Sequence, residues 1–204
     1  MSKILVIPDC QVKSGVPLNH LEWAGKYIVD KLPDTIVMIG DFADMESLSK
    51  YDVGQVSFEG KRYRKDIEVA HKAMELLLTP LKAYNKELAK AKKKQYAPRM
   101  VLTLGNHEDR IDRAVSQDPK LEGVLSIGDL GYEEFGWEVI PYLEPIIIDG
   151  VAFCHYFTSG TMGRPVSTAN AMLNKKHMSC IMGMFKGGRL PTQQEQTGQK
   201  LLAY

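Results

Sequence analysis

The sequence lacks the features that mark secreted, membrane-spanning and disulfide-stabilised proteins. Its 204 residues include three cysteines, Cys10, Cys154 and Cys180, too widely spaced for a disulfide framework or a CxxC metal site. No apolar run approaches the roughly 18 residues that a membrane-spanning helix needs. The opening stretch, MSKILVIPDC, reaches an aspartate too soon for a signal peptide. We therefore expect one cytoplasmic domain over residues 1–204, without a membrane partner.

The sequence also lacks strong charge of either sign and the common phosphate-binding glycine motifs. The formal net charge is only +1, which argues against a generally polyanionic partner. Neither GxxxxGK[ST] nor GxGxxG follows an apolar run, so neither a nucleotide kinase nor a dinucleotide-dependent enzyme is indicated.

Short apolar runs predict strands that end at residues able to bind metal or substrate. The runs are KILVIPD, TIVMIGD and MVLTLGNHE, followed by a hairpin in PIIIDGVAFCHYF and a last strand in HMSCIMG. Helical periodicity covers residues 19–31, with Asn19 as the N-cap, and residues 64–78. Pro80 either interrupts the second helix or begins its second half over 81–94. The alternation predicts an α/β fold with a largely parallel sheet, and the hairpin lies either in that sheet or in a second sheet packed on it.

Side chains at the carboxyl ends of parallel strands gather along one edge of the sheet, where ligands usually bind. Here that edge would collect carboxylate, amide and imidazole groups from Asp9, Asp41, Asn106, His107 and His155. Oxygen donors with imidazole nitrogen suit a divalent ion such as Mn, Zn or Fe. Because Asp41 stands between the other ligands in the sequence, it could bridge two ions, and such a pair can clamp a phosphoryl group.

Four motifs, PD-x-Q, GD, GNHE and FCHY, occur in this order at the ends of the apolar runs. They resemble the D-x-H, GD, GNH(D/E) and lone-histidine pattern of the calcineurin-like metallophosphoesterases, over residues 4–187. The stretch FADMESLSKYD is also similar to the small phosphoesterases encoded by tailed bacteriophages, which would place the protein in a host cytoplasm. The resemblance implies a two-sheet sandwich flanked by helices. It also implies two divalent ions, first of all Mn, with Zn, Fe, Ni and Mg as alternatives.

The resemblance further implies a role for each matching residue. The metal ligands would be Asp9, Gln11, Asp41, Asn106 and His155. Asp41 would bridge the two ions and so belong to the catalytic group. His107 would donate to the phosphate or to the leaving oxygen, and Glu108 would orient His107. The implied activity is hydrolysis of a phosphomonoester or phosphodiester through a metal-bound hydroxide, with nucleotides and nucleic acids among the candidate substrates.

The chain departs from the family pattern at two places. Gln11 stands where the family has a histidine, and IMGMFKGG stands where it has GHxH, which puts Met184 and Lys186 at the two histidine positions. A thioether is a poor ligand for a hard divalent ion, and an ammonium is none. Residues 184–204 therefore read as an atypical tail, with the family's last strands missing. The alternative function is a catalytically impaired fold that serves as a binding or structural module.

The candidate substrate-binding residues are Arg110, Arg164 and Lys186. Arg110 follows GNHE on a predicted helix, where it either contacts phosphate or belongs to an exposed ion-paired face. Arg164 lies in a loop rich in glycine and hydroxyl residues, and Lys186 would stand beside an ion position. The basic clusters KRYRK and KAKKK either attract nucleic acid or are solvated helix ends. The sequence gives no indication of the oligomeric state.

Overall fold

A computed structural model describes residues 2–159, 163–166, 172 and 177–183 of the chain. These residues have a mixed α/β organisation, with a four-stranded sheet, a three-stranded sheet and a short two-stranded pair. The helices are α1 (Asn19–Lys31), α2 (Tyr63–Lys90) and α3 (Arg110–Gln117). The strands are β1 (Ile4–Ile7), β2 (Thr35–Met38), β3 (Arg99–Thr103), β4 (Glu138–Ile140), β5 (Ile146–Ile148), β6 (Val151–Cys154), β7 (Thr158–Ser159), β8 (Arg164–Pro165) and β9 (Ser179–Met182).

The four-stranded sheet is entirely parallel and has the order β1-β2-β3-β4. α1 connects β1 to β2 and α2 connects β2 to β3, so these strands form the predicted βα units. Ile36 and Met38 of β2 pack into a buried cluster with Leu21 of α1 and Leu77 of α2. The two helices therefore cover one face of this sheet, and the carboxyl ends of its strands share one edge.

The predicted hairpin belongs to the second sheet. β5 and β6 pair antiparallel around Asp149 and Gly150, and β9 adds to β6 in parallel. Val37 of β2 and Ile39, which directly follows β2, lie on the other face of the first sheet. They share a buried cluster with Phe153 of β6. This shared cluster places β6 close to the first sheet, so that both sheets can contribute residues to one site.

Two local predictions were wrong. α2 runs through Pro80 as one helix of 28 residues. A proline inside a helix costs roughly 3 kcal/mol, but the apolar stripe of α2 continues past it and packs against α1. The packing is close, because a Cβ on Gly25 of α1 would lie 2.2 Å from the Leu77 carbonyl oxygen. Asn19 is the first helical residue rather than the cap, which is Leu18, without a side-chain capping bond.

The predicted tail, residues 184–204, lies outside the described residues. It contains Met184 and Lys186, and it is the region in which the family's last strands were expected to be missing. Among the helices that the structure describes, none combines the length and the apolar character needed to cross a bilayer.

Candidate metal centre

The carboxyl ends of β1, β2, β3 and β6 bring four potential ligands together. Asp9, Asp41 and His155 each offer a ligand atom within 4.8 Å of the others. Asn106 joins them, because its Oδ1 atom lies 3.1 Å from Nε2 of His155. These side chains come from distant parts of the chain and meet at the edge where the sequence predicted them.

The imidazole of His155 is held in one orientation by the backbone. The ring is fully buried, and its Nδ1 atom lies 3.0 Å from the Ile39 carbonyl oxygen, to which it donates. Nε2 then faces Oδ2 of Asp41 at 3.3 Å as well as Asn106. Burial lowers the pKa of His155, but the hydrogen bond and charge of Asp41 outweigh it and raise the pKa overall. Binding of a metal ion at Nε2 would therefore release a proton.

Asp9 presents a buried oxygen that no described residue satisfies. Its Oδ1 atom accepts no hydrogen bond from the part of the chain that the structure describes, and it lies 3.8 Å from Nδ1 of His155. Burial raises the pKa of Asp9, and the neighbouring Asp41 charge raises it further. Buried polar atoms are normally hydrogen-bonded or bound to ions. A divalent cation would satisfy this oxygen and relieve the repulsion between the two carboxylates, so the donor set fits a metal ion.

The glycines of the GD and GN motifs leave room for the ligands of neighbouring strands. A Cβ on Gly40, whose φ is +85°, would lie 2.6 Å from Nδ1 of His155. A Cβ on Gly105 would lie 2.1 Å from Oδ1 of Asp41 and 2.3 Å from its backbone nitrogen. No side chain fits at such distances, so each glycine allows two strand ends to approach closely.

The backbone is strained at three non-glycine positions of the site. Asp9, Gln11 and Asp41 have φ values of 23°, 43° and 51°. Such conformations cost energy and persist where the surrounding structure over-determines them, often at functional sites. The Gln11 N–H donates to the Asp41 carbonyl oxygen at 2.8 Å. The residue is otherwise exposed, and its side chain makes no hydrogen bond to the described ligands.

His107 stands beside the ligand group with its ring held by Asp44. Its Nδ1 atom lies 2.8 Å from Oδ1 of Asp44 and 2.9 Å from the Asp44 carbonyl oxygen. Its backbone N–H donates to Oδ1 of Asp41 at 2.9 Å, while its Nε2 atom lies 3.6 Å from Oδ2 of the same residue. Burial lowers the pKa of His107, but the hydrogen bond to Asp44 raises it overall. Nε2, which faces Oδ2 of Asp41, can therefore carry a proton.

Sequence reasoning missed Asp44 and gave its role to Glu108. Glu108 is fully buried and does not contact the His107 ring. Its carboxylate accepts the backbone N–H groups of Asp41, Ala43 and Gly105 at 2.9–3.1 Å. It therefore ties the loop after β2 to the loop after β3, and Asp44 orients the imidazole. The only sequence signal for Asp44 is its place three residues after Asp41, which does not by itself show where the carboxylate points.

The predicted substrate-binding residues lie in different environments, and Arg110 contacts residues of the site. Arg110 donates to the Asp44 carbonyl oxygen at 2.8 Å, and its Nη2 atom lies 3.4 Å from Nε2 of His107. Arg113, one turn further along α3, pairs with Asp109 at 2.7 Å. Arg164 lies in β8, but its side chain is outside what the structure describes, and so is Lys186.

Comparisons with known proteins add no relative. No model of a protein family matches the chain, and no curated protein matches it. The functional assignment therefore depends on the arrangement of the residues themselves.

Two clefts lie near the site, and Arg110 lines both of them. One, of about 570 Å³, is lined by charged and polar groups that include Lys13, Asp44 and Lys61, and we call it the polar cleft. The other, of about 490 Å³, is lined by Leu48, Lys50, Tyr51, Arg110, Arg113, Ala114, Gln117 and Asp118, and we call it the tyrosine cleft. Arg110 links both clefts to His107, because its Nη2 atom lies 3.4 Å from Nε2 of His107.

Proposed function

We propose that the protein is a metal-dependent phosphoesterase. The observation that carries the proposal is the position of the His107 imidazole, whose Nε2 atom lies 3.6 Å from Oδ2 of Asp41. On its other side, the same Asp41 oxygen lies 3.3 Å from Nε2 of His155. A proton donor and a set of possible metal ligands therefore lie beside one carboxylate, an arrangement suited to hydrolysis of a phosphate ester.

The residues that would hold metal are Asp9, Asp41, Asn106 and His155. Their carboxylate, amide and imidazole donors suit Mn, with Zn, Fe, Ni and Mg as alternatives, and Asp41 would bridge two ions. Neighbouring donors around an ion with bonds of about 2.1 Å stand about 3 Å apart, and the 3.1 and 3.3 Å separations around His155 suit this. A bound divalent ion would polarise the phosphoryl oxygens and acidify a water molecule.

His107 and Arg110 would act on the substrate. Because Nδ1 of His107 is engaged by Asp44, Nε2 is the atom that would give a proton to the leaving oxygen. The Arg110 guanidinium, 3.4 Å from that nitrogen, supplies a second donor for a phosphoryl oxygen lying between them. Asp44 holds both groups in place, since it also accepts from Arg110.

The fold supports the same proposal. The two sheets share the buried cluster of Val37, Ile39 and Phe153, and the helices α1 and α2 cover the outer face of the first sheet. We propose that this is the two-sheet sandwich of the calcineurin-like metallophosphoesterases. β6 then delivers His155 to the edge at which β1 and β2 deliver Asp9 and Asp41.

A second candidate is a binding or structural module with little catalytic activity. It is favoured by Gln11, whose exposed side chain makes no hydrogen bond to the ligand group. In that case one of the two metal positions would have low occupancy. Metal content and turnover of the intact protein separate the two candidates.

The test is metal analysis and turnover after loading with Mn²⁺ and removal of unbound ion. We expect bound manganese and metal-dependent hydrolysis of bis(p-nitrophenyl) phosphate. Asp41→Asn should lose both, whereas Asp112→Asn, at an exposed position on α3, should keep both. Equal metal content and equal turnover in the two variants would refute the proposal. Bound metal without turnover would favour the binding module.

A further inference from the structure

The two clefts differ in chemistry although they meet at one residue. The polar cleft contains the ion pairs of Lys13 with Asp44 at 2.9 Å and of Lys61 with Glu46 at 2.9 Å. The tyrosine cleft has apolar walls from Leu48, Tyr51 and Ala114. Arg110 lines both clefts. A ligand bound at Arg110 therefore adjoins two dissimilar spaces.

The tyrosine cleft is connected to the proposed catalytic edge through the backbone. Arg113 lines this cleft and donates to the Asn106 carbonyl oxygen. Arg110 lines it as well, and its guanidinium lies 3.4 Å from Nε2 of His107. A phosphoryl group at His107 would therefore lie next to Arg110, which lines the tyrosine cleft.

The groups in the tyrosine cleft suit a planar ring with polar edges. Tyr51 is 89% exposed, so its ring is largely open to a ligand. Leu48 and Ala114 offer further apolar surface, and the polar groups at the same cleft include Lys50 and Gln117, which hydrogen-bond each other. Aromatic side chains of this kind bind nucleobases by stacking, independently of base identity.

We propose that the substrate is a phosphodiester with a nucleoside arm, and that this arm stacks on Tyr51 in the tyrosine cleft. The second ester arm occupies the polar cleft. A phosphomonoester has one ester arm and would leave one of the two clefts unfilled. This inference rests on the proposed function, since it places the reacting phosphoryl group at His107.

Two esters with the same leaving group test the nucleoside arm. Thymidine 5′-(p-nitrophenyl phosphate) and methyl p-nitrophenyl phosphate differ in the arm that stays on phosphorus. We expect the Mn²⁺-loaded full chain to show a kcat/KM about tenfold higher or more for the thymidine ester, because stacking on one aromatic side chain is worth about 1–3 kcal/mol per base. Equal values for the two esters would overturn the inference.

Substitution of Tyr51 shows whether the preference comes from this cleft. Tyr51→Ala should lower kcat/KM for the thymidine ester about tenfold more than for the methyl ester. Tyr51→Phe keeps the ring and should keep the preference. Tyr27→Ala removes another exposed tyrosine, on α1 and outside both clefts, and should change neither ester. Equal losses for both esters in Tyr51→Ala would overturn the inference.

A binding measurement separates failure of this inference from failure of the proposed function. If neither ester is hydrolysed, the proposed function is refuted and the phosphodiester assignment with it. Calorimetric titration with thymidine 5′-monophosphate then tests the cleft directly. Binding by the unsubstituted chain that Tyr51→Ala weakens about tenfold supports a nucleoside site, and binding that Tyr51→Ala leaves unchanged overturns it.

Discussion

Nδ1 of His107 lies 2.8 Å from Oδ1 of Asp44, and this contact determines that Nε2 is the nitrogen facing the metal ligands. Asp44 does not reach the ligand group itself among the described contacts. Its effect on catalysis is therefore indirect, through the orientation and protonation of His107.

We predict that His107→Ala lowers kcat by about 10²- to 10⁴-fold, the usual range for loss of a general acid. Asp44→Asn should lower kcat about 10- to 100-fold, as outer-shell partners of reactive groups often do. Manganese content should stay unchanged in both variants, since neither residue belongs to the proposed ligand set. The measurements are metal analysis and steady-state kinetics with bis(p-nitrophenyl) phosphate. Loss of metal in Asp44→Asn would contradict this division of roles.

The Asp44–His107 pair should also make stability depend on pH. Burial raises the pKa of Asp44, but the hydrogen bonds from His107 and Lys13 outweigh it and lower the pKa overall. Asp44 therefore stabilises the fold above its unfolded pKa of about 3.9, and this stabilisation is lost as pH falls below it. The raised pKa of His107 gives stabilisation that is present below about pH 6.5 and is lost as pH rises above it.

We therefore expect the unfolding free energies of the unsubstituted chain and Asp44→Asn, both in EDTA, to differ most between about pH 4 and 6.5. Urea unfolding across that range measures the difference. A constant difference from pH 3 to pH 8 would show that the pair does not titrate as described.

Glu108 should matter for stability more than for the chemical step. Both Glu108 oxygens accept backbone N–H groups, one from Asp41 and Gly105 and the other from Ala43, so the NH₂ group of Glu108→Gln faces a donor in either orientation. We expect a loss of about 3 kcal/mol in the free energy of unfolding, since hydrogen bonds to a buried charge would be broken. Glu122→Gln, at an exposed position, should change it by less than about 0.5 kcal/mol. Urea unfolding in EDTA is the measurement. Equal losses of unfolding free energy in the two variants would contradict the structural role of Glu108.

Gly105→Ala tests whether the GN glycine is required for space alone, because its φ is not positive. The new methyl group would push against the Asp41 carboxylate, 2.1 Å away. We expect manganese affinity to fall at least tenfold and stability to fall by about 1–3 kcal/mol. In Gly128→Ala the nearest neighbour would be the flexible Ser126 hydroxyl at 3.3 Å, so metal affinity should be unaffected. Calorimetric titration with Mn²⁺ compares them.

Much of the first sheet could be predicted because its strands are continuous apolar runs. β1, β2 and β3 end within a few residues of the expected positions, and the hairpin turn falls at Asp149 and Gly150. β4 was missed, since Glu138–Ile140 is a three-residue strand without a distinct apolar run. Its place in the sheet is set by pairing with β3, which is not visible in local sequence.

The convergence of Asp9, Asp41, Asn106 and His155 could be predicted for the same reason, since each follows an apolar run. The contacts that orient the neighbouring residues, such as His107, could not be predicted. Whether Glu108 or Asp44 reaches the His107 ring depends on how the backbone turns after Gly105, and the motif GNHE does not specify that. Likewise, the place of Arg110 in the lining of both clefts depends on how α3 packs beside the segment that carries Tyr51.

The carboxylate of Glu108 has a consequence for how the site takes up metal. It joins the loops after β2 and β3 through bonds to Asp41, Ala43 and Gly105, all of them internal to the protein. Loop geometry is thus established during folding, and little of an ion's binding energy is needed to order the chain. A preformed site of this kind can bind any cation whose radius and coordination number fit its geometry. The supply of ions, rather than refolding around a preferred element, would then determine which ion the proposed site binds.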